Sequence, residues 1–313
     1  MKTEILMTAR NARVEDRLSE RFALHFLSDY PHRTECLAAV GERISGILYA
    51  NTGGRIGDSV FDRTPKLEIV SAISTGVDYI DLVAATDRGI VVTNAGGVNA
   101  IDTAEFALGL LLGAGRNIGG GVYHVRSGQW RDHRIEPTRR ISGRPLGILG
   151  MGSIGLEVAR RAEAFGMPVL YHNRRPRLET PYIYVDTLLE LAQRVDFLIV
   201  TAPGGEDTHH LVGRPVLDAL GPEGVLVNVG RGTVVDTRAL VAALGEGTLG
   251  AAALDVLEGE PQVPSALLAL PNLMLTPHMA ARTKDSLRCA YDLAAQNIEA
   301  HFLGERVPSL VAL

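Results

Sequence analysis

The sequence is poor in cysteine, in tryptophan and in long apolar runs. Its two cysteines among 313 residues, Cys36 and Cys289, offer neither a disulfide framework nor a cysteine-rich metal centre, and they fit a reducing, cytoplasmic setting. The longest apolar stretch, 106–114, is interrupted by Gly109 and Gly113 and falls well short of the ~20 residues of a membrane-spanning helix. Charged Lys2 and Glu4 precede a strand-like Ile5-Leu6-Met7, which does not read as a secretion signal. Like charges form no long run, and 31 basic against 36 acidic residues leave a net charge of −5. That balance gives no footprint for nucleic acid or an anionic membrane as a partner. No internal repeat or low-complexity segment is evident.

What is present is an apolar fraction of 46%, sufficient for sizeable cores, and a length that suits two domains. Short apolar runs alternate with helical periodicity, which points to an α/β fold with mostly parallel sheets. The runs lie at 4–7, 46–49, 67–71 and 90–93, then at 146–149, 168–171, 196–201, 224–228, 251–255 and 272–275. Helical stretches lie at 156–164, 188–192, 238–244 and 287–302. Their spacing fits two doubly wound units rather than one long sheet. The expected division is a flavodoxin-like substrate domain of residues 1–97 and 283–313, and a Rossmann-type dinucleotide-binding domain of residues 98–282. The joint is a helix capped by Asn99, with Asp102 in its first turn favouring the dipole. The final helix has no strand after it and is free to pack back on the first unit. Residues 118–142, with Gly119-Gly120-Gly121 and the single Trp130, lack strand character and are long for a plain connection.

The most informative motif is Gly150-Met151-Gly152-Ser153-Ile154-Gly155. It follows one apolar run, opens a helical pattern and is succeeded by a second apolar run, the context in which G-x-G-x-x-G means dinucleotide binding. Gly150 permits the tight turn, Gly152 lets backbone approach a pyrophosphate, and Gly155 lets the helix pack closely on the strand. Phosphate then meets the free N–H groups and positive end of the helix. At the end of the second strand, where a carboxylate accepts bonds from an NAD ribose, stands Asn173, followed by Arg174, Arg175 and Arg177. An acid would repel a ribose 2′-phosphate, whereas a guanidinium fork binds it. NADP(H) is therefore preferred as cofactor, with NAD(H) left open.

Three later segments end at strand termini, where open α/β sheets bind ligands. In Asn228-Val229-Gly230-Arg231-Gly232-Thr233-Val234-Val235-Asp236, an arginine between glycines directly after a buried strand is poorly explained by packing. The others are Asp255-Val256-Leu257-Glu258-Gly259-Glu260-Pro261 and Thr276-Pro277-His278-Met279-Ala280-Ala281. The pair His209-His210 reads as exposed loop, and no metal site is expected.

With Ser74-Thr75-Gly76-Val77-Asp78-Tyr79-Ile80-Asp81, these motifs stand in an order that resembles the D-isomer-specific 2-hydroxyacid dehydrogenases, in particular the glyoxylate/hydroxypyruvate reductases. The resemblance runs from about Leu67 to Ala281. It implies reduction of a small 2-keto acid to the D-2-hydroxy acid by hydride transfer. His278 becomes the general acid/base, Glu260 its hydrogen-bonding partner, and Arg231 the cation that holds the substrate and polarises its carbonyl. Thr75 and Gly76 would give backbone N–H groups to the substrate carboxylate, with Asn51 among the pocket residues. Cofactor contacts are implied for Thr103, Gly150, Met151, Gly152, Ser153, Ile154, Asn173, Arg174, Arg175, Ala202, Pro203, Val229, Gly230, Arg231, Asp255, His278 and Ala280, with Asp255 on the nicotinamide carboxamide. The sequence departs from the family at Gly204-Gly205, where an apolar residue then threonine are usual, and at Ala280, where glycine is usual. Neither change removes a chemical group. The resemblance also implies a homodimer, with the Trp130 segment as an arm towards the partner. An NAD-dependent hydroxyacid or phosphoglycerate-type dehydrogenase, of which only a short form would fit a chain ending at Leu313, and a dinucleotide-sensing corepressor stay as alternatives.

Overall fold

The computed structural model describes residues 2–311. The chain forms two compact units, one of Met1–Asn99 with Thr283–Leu313 and one of Ala100–Arg282.

The first unit holds a sheet of β1 (Glu4–Met7), β2 (Ala23–Phe26), β3 (Ile44–Tyr49), β4 (Ile69–Ala72) and β5 (Val91–Thr93). Every pairing is parallel and the order is β2-β1-β3-β4-β5, the flavodoxin-like winding. Side chains alternate across the sheet, as a period of two dictates. Leu6, Ile47, Tyr49 and Val70 pack on one face with Leu37, Val40 and Phe61. On the other, Ile5, Met7 and Leu48 meet Ala294, Ala295 and Ile298 of the C-terminal helix Lys284–Phe302. That helix starts at Thr283, whose side chain accepts the Ser286 N–H. Strand β2 was not legible as an apolar run. It is a partly exposed edge strand paired only to β1, and of its four residues Leu24 and Phe26 pack against the core, so no continuous apolar run marks it.

The second unit holds β6 (Leu146–Leu149), β7 (Val169–His172), β8 (Ile183–Tyr184), β9 (Phe197–Val200), β10 (Val225–Asn228), β11 (Ala251–Leu254) and β12 (Leu273–Leu275). Their order is β12-β11-β10-β9-β6-β7-β8, again all parallel. Counted from β6 this is the Rossmann order with one added strand, and the direction of winding reverses between β6 and β9. Strands buried on both faces read as continuous apolar runs, which is why β6, β9 and β10 were evident in sequence. Ile148, Ile199 and Val227 face the helices Ala100–Gly115 and Ser153–Glu163, where Ala104, Ala107, Ala159 and Ala162 keep the packing close. Leu198, Leu226 and Leu254 face Leu191, Leu217 and Leu240 on the opposite layer. The two-residue edge strand β8 was missed, being too short to carry a pattern. Residues 116–142 contain a helix, Ile118–Arg126, and a single 3-10 turn, Gln129–Arg131. Among the described residues, no helix is long and apolar enough to cross a membrane.

Candidate active site

The glycine turn lies at the point where the winding of the second sheet reverses. Gly150 follows β6 with φ +102°, and a Cβ there would stand 2.7 Å from the Ala202 backbone N, so the turn nests against the loop after β9. A Cβ on Gly155 would meet the Gly150 carbonyl oxygen, and the helix Ser153–Glu163 accordingly rises directly off the turn. Above Gly152 there is open space, with no atom within 4 Å of a built Cβ, and no side chain caps this helix. Uncapped first-turn N–H groups beside an open glycine suit a pyrophosphate. Thr103, on the helix Ala100–Gly115, is 3% exposed, and its Oγ1 has no hydrogen-bond partner among the described residues. Buried hydroxyls are nearly always paired, so this one fits a polar group of a bound dinucleotide.

Asn173 terminates β7, but its Oδ1 accepts the Met151 N–H at 2.6 Å, so it shapes the turn itself. Arg177 donates to the Met151 carbonyl at 2.9 Å and to Glu179 at 2.6 Å. Arg174 pairs with Asp207 in a highly exposed contact of 3.3 Å, and Arg175 is exposed.

Three loops at the C-terminal edge of β10, β11 and β12 carry the remaining residues. After β10, Asn228 is fully buried. It accepts the Gly230 N–H at 3.0 Å and donates to the Arg231 carbonyl at 2.9 Å, closing a small loop around Arg231. The Arg231 guanidinium donates to the Gly230 carbonyl at 2.8 Å. A Cβ on Gly232 would lie 2.0 Å from the Leu257 carbonyl carbon, so only glycine lets this loop touch the one that bears Glu260. Gly230 similarly abuts the Ala202 carbonyl oxygen, while Val229 is buried and Pro203 exposed.

Asp255 follows β11 and is 1% exposed. Its carboxylate accepts the Thr276 hydroxyl at 2.6 Å, the Met279 N–H at 2.9 Å and the Ala280 N–H at 2.8 Å. Those bonds anchor the loop after β12, two on Oδ1 and one on Oδ2, and leave Oδ2 able to accept a further donor. His278, at the centre of that loop, has φ +50°, a left-handed conformation that costs a non-glycine residue about 1 kcal/mol or more. Its own N–H donates to the Asp255 carbonyl at 2.8 Å. Ala280 needs no such conformation, which explains why alanine serves where glycine is usual.

His278 Nδ1 lies 2.7 Å from Glu260 Oε1. The Glu260 bond and its charge hold the imidazole above its usual pKa of 6.5, against the opposing effects of burial and the Arg231 charge. Burial pushes the Glu260 carboxyl up, but the His278 bond and charge, the Leu257 N–H and the Arg231 charge together keep it below the usual range. The imidazole is 49% exposed, so its other nitrogen is accessible. An oriented imidazolium beside an arginine can give a proton to a carbonyl oxygen while the guanidinium holds a carboxylate.

In the first unit, Asn51 Oδ1 accepts the Ser74 hydroxyl at 3.2 Å. The Thr75 and Gly76 carbonyls are taken by Asn94 Nδ2 and Ser74 Oγ, and the Thr75 hydroxyl donates to Asn99 Oδ1 at 2.8 Å. The backbone N–H groups of Thr75 and Gly76 have no acceptor among the described residues.

Sequence reasoning missed Asn228, Gly232 and Thr276 as shapers of the site; a buried asparagine ending an apolar strand was the available signal. His210 also departs from an exposed-loop reading. It is partly buried, with Nε2 2.6 Å from Glu258 Oε1, and His209, His210 and Glu258 bring their ligating atoms within 4.8 Å of one another.

Known proteins place this arrangement. Residues 108–280 match the profile of the D-isomer specific 2-hydroxyacid dehydrogenase NAD binding domain. The chain is 40% identical over 301 residues to hydroxyphenylpyruvate reductase of Plectranthus scutellarioides and to glyoxylate/hydroxypyruvate reductase A of Arabidopsis thaliana, covering 96% of each pair. The crystal structure of an NADPH-dependent glyoxylate/hydroxypyruvate reductase from Sinorhizobium meliloti, in complex with NADP and malonate, superposes with a TM-score of 0.90 at 39% identity, covering 100% of this chain and 97% of that one. The chain therefore belongs to the D-isomer specific 2-hydroxyacid dehydrogenase family and is a nicotinamide-dependent oxidoreductase.

Proposed function

We propose that this enzyme reduces small 2-keto acids of the glyoxylate and hydroxypyruvate kind to D-2-hydroxy acids with NADPH. The observation that carries the reading is the His278–Glu260 pair beside the Arg231 loop, at the C-terminal edge of a sheet whose glycine turn fits a dinucleotide. When bound, the nicotinamide supplies the hydride. His278, kept protonated by Glu260, gives its proton to the carbonyl oxygen as the alkoxide charge develops. Arg231 holds the substrate carboxylate and polarises the carbonyl. Thr103 and the first turn of the helix Ser153–Glu163 hold the dinucleotide, with Arg174 and Arg175 for a 2′-phosphate.

The likeness to hydroxyphenylpyruvate reductase supports a second substrate class, aryl 2-keto acids. Steady-state rates with NADPH and NADH across glyoxylate, hydroxypyruvate and 4-hydroxyphenylpyruvate decide between them. Cofactor binding without turnover on any 2-keto acid would sink the reductase reading in favour of a sensor.

The enzyme is further proposed to be a cytoplasmic homodimer. Its two cysteines are free, and residues 118–135 expose Ile118, Val122, Tyr123, Val125, Trp130 and Ile135 along one segment, a patch of the kind that marks an interface. A monomer in sedimentation would refute the dimer.

A further inference from the structure

The loop after β11 carries two acids that face two different histidines. Glu260 meets His278, while Glu258, two residues earlier, meets His210 at 2.6 Å. The second pair lies outside the chemistry described above, yet it ties the loop after β9 to those after β10 and β11. His210 donates its backbone N–H to the Thr233 carbonyl at 2.8 Å, and Val212 donates to Val234 at 3.0 Å, so the loop after β9 is laced to the one carrying Arg231. The His210 ring then crosses to Glu258, whose other oxygen accepts the Thr237 N–H at 3.1 Å. Asp236, which caps the helix Thr237–Glu246, stands 3.9 Å from the other ring nitrogen.

A metal ion is a poor occupant of this cluster. The His209 and His210 rings are stacked, 3.8 Å between centroids and 28° between planes. Their in-plane lone pairs run side by side instead of converging as a coordination sphere requires. What the geometry provides is a brace. Glu258 is partly buried, and His210 and the Thr237 N–H occupy both of its oxygens. Burial pushes that carboxyl up, but the Thr237 and His210 bonds keep it below its usual range.

We infer that His210 is a positioning residue, holding the β11 loop through Glu258 so that Glu260 stays in bonding register with His278. This rests on the reading of Glu260 and His278 as the acid–base pair. Losing the brace frees the segment Glu258-Gly259-Glu260 to drift, and a misplacement of an ångström is costly in a preorganised site. The groups that act on His278 are Glu260, Arg231 and Asp255; those around His210 are Glu258, Asp236 and the stacked His209. Of these, Glu258 stands two residues from Glu260 on one short loop.

The test compares wild type, His210→Ala, His210→Gln and Glu258→Ala in NADPH-dependent reduction of glyoxylate across pH, beside an NMR titration of the His278 ring. His210→Ala is expected to lower kcat about tenfold, to move the His278 midpoint down towards its ordinary value, and to leave the NADPH Kd within about twofold of wild type. His210→Gln, whose amide still donates to Glu258, should recover most of both. If His210→Ala does not fold, Glu258→Ala, which removes both oxygens of the brace, carries the same expectation. An unchanged His278 midpoint in a folded variant overturns the inference, whatever happens to kcat. So does a glutamine variant no better than the alanine one. If wild type turns over no 2-keto acid, the proposed function fails, and the ring titration still decides the brace independently.

Discussion

Glu260 Oε1 and His278 Nδ1 stand 2.7 Å apart although they arrive on separate loops, one after β11 and one after β12. The bond orients the ring and biases its protonation at once. Asp255 secures one side of that arrangement by anchoring the His278 loop, and the tight contact of Gly232 on Leu257 secures the other. The Glu260–His278 pair is thus a product of strand order, assembled where parallel strands end together.

If His278 transfers the proton, replacing it with Gln removes general acid catalysis and little else. The expected loss in kcat is about 10²- to 10⁴-fold. NADPH binding, followed by fluorescence titration, should change little, because the proposed phosphate contacts lie at the glycine turn. Activity near wild type would show that another group supplies the proton.

The pH dependence follows from the direction of the shift. With His278 as the proton donor, reduction requires the protonated ring, and Glu260 raises the pKa of His278 above 6.5. The rate of reduction should hold on the acid side and fall as pH rises through that elevated value; oxidation of the hydroxy acid, which needs the neutral ring, should rise over the same interval. Glu260→Gln removes the charge that sustains the shift, so the midpoint moves down and reduction suffers more at alkaline than at acid pH. A pH profile of kcat for both directions measures this.

Two glycine substitutions should separate binding from folding. Gly152→Ala meets no atom within 4 Å and needs no left-handed backbone, so Tm should stay near wild type while dinucleotide affinity drops, by about tenfold or more, because the added methyl occupies the approach to the turn. Gly232→Ala would place Cβ 2.0 Å from the Leu257 carbonyl carbon. Backbone must then move, so both Tm and kcat/KM should fall, the stability loss being about 1–3 kcal/mol. Thermal melts beside coenzyme titrations test the contrast.

Coenzyme choice should respond to Asn173→Asp combined with Arg174→Ala and Arg175→Ala. The aspartate keeps an acceptor for the Met151 N–H, so the turn survives, while the site gains a ribose-hydroxyl acceptor and loses two guanidinium groups. NADPH should lose at least about tenfold in kcat/KM relative to NADH, the size expected for charge-assisted hydrogen bonds. An unchanged ratio would place 2′-phosphate recognition on other residues.

Legibility in the sequence tracked burial. Strands β6, β9 and β10 are buried along their whole length and apolar up to the Asn228 that ends β10, so they were plain; β2, of which Leu24 and Phe26 alone pack inward, and β8, with two residues, were not. The glycine turn was legible because its φ, its open face and its close approach to Ala202 all restrict the residue type. Arg231, Glu260 and His278 were legible as chemistry out of place beside strand ends. His210 was not, since its partner Glu258 is distant in sequence and the bond between them leaves no periodic trace.

By itself the sequence determined the alternation of strands and helices, the dinucleotide turn, and the absence of a carboxylate at the end of β7, because each is fixed by local backbone geometry or by one residue type at one position. The family resemblance already set Glu260 against His278; only the tertiary structure decided that Glu258 takes a second histidine. Glu258 and Glu260 flank Gly259, and the sequence offered no partner for the first of them. The parallel order β9-β10-β11-β12 brings the first to His210, on the loop after β9, and the second to His278, on the loop after β12, since hydrogen-bond partners across loops are chosen by which strand ends lie close together.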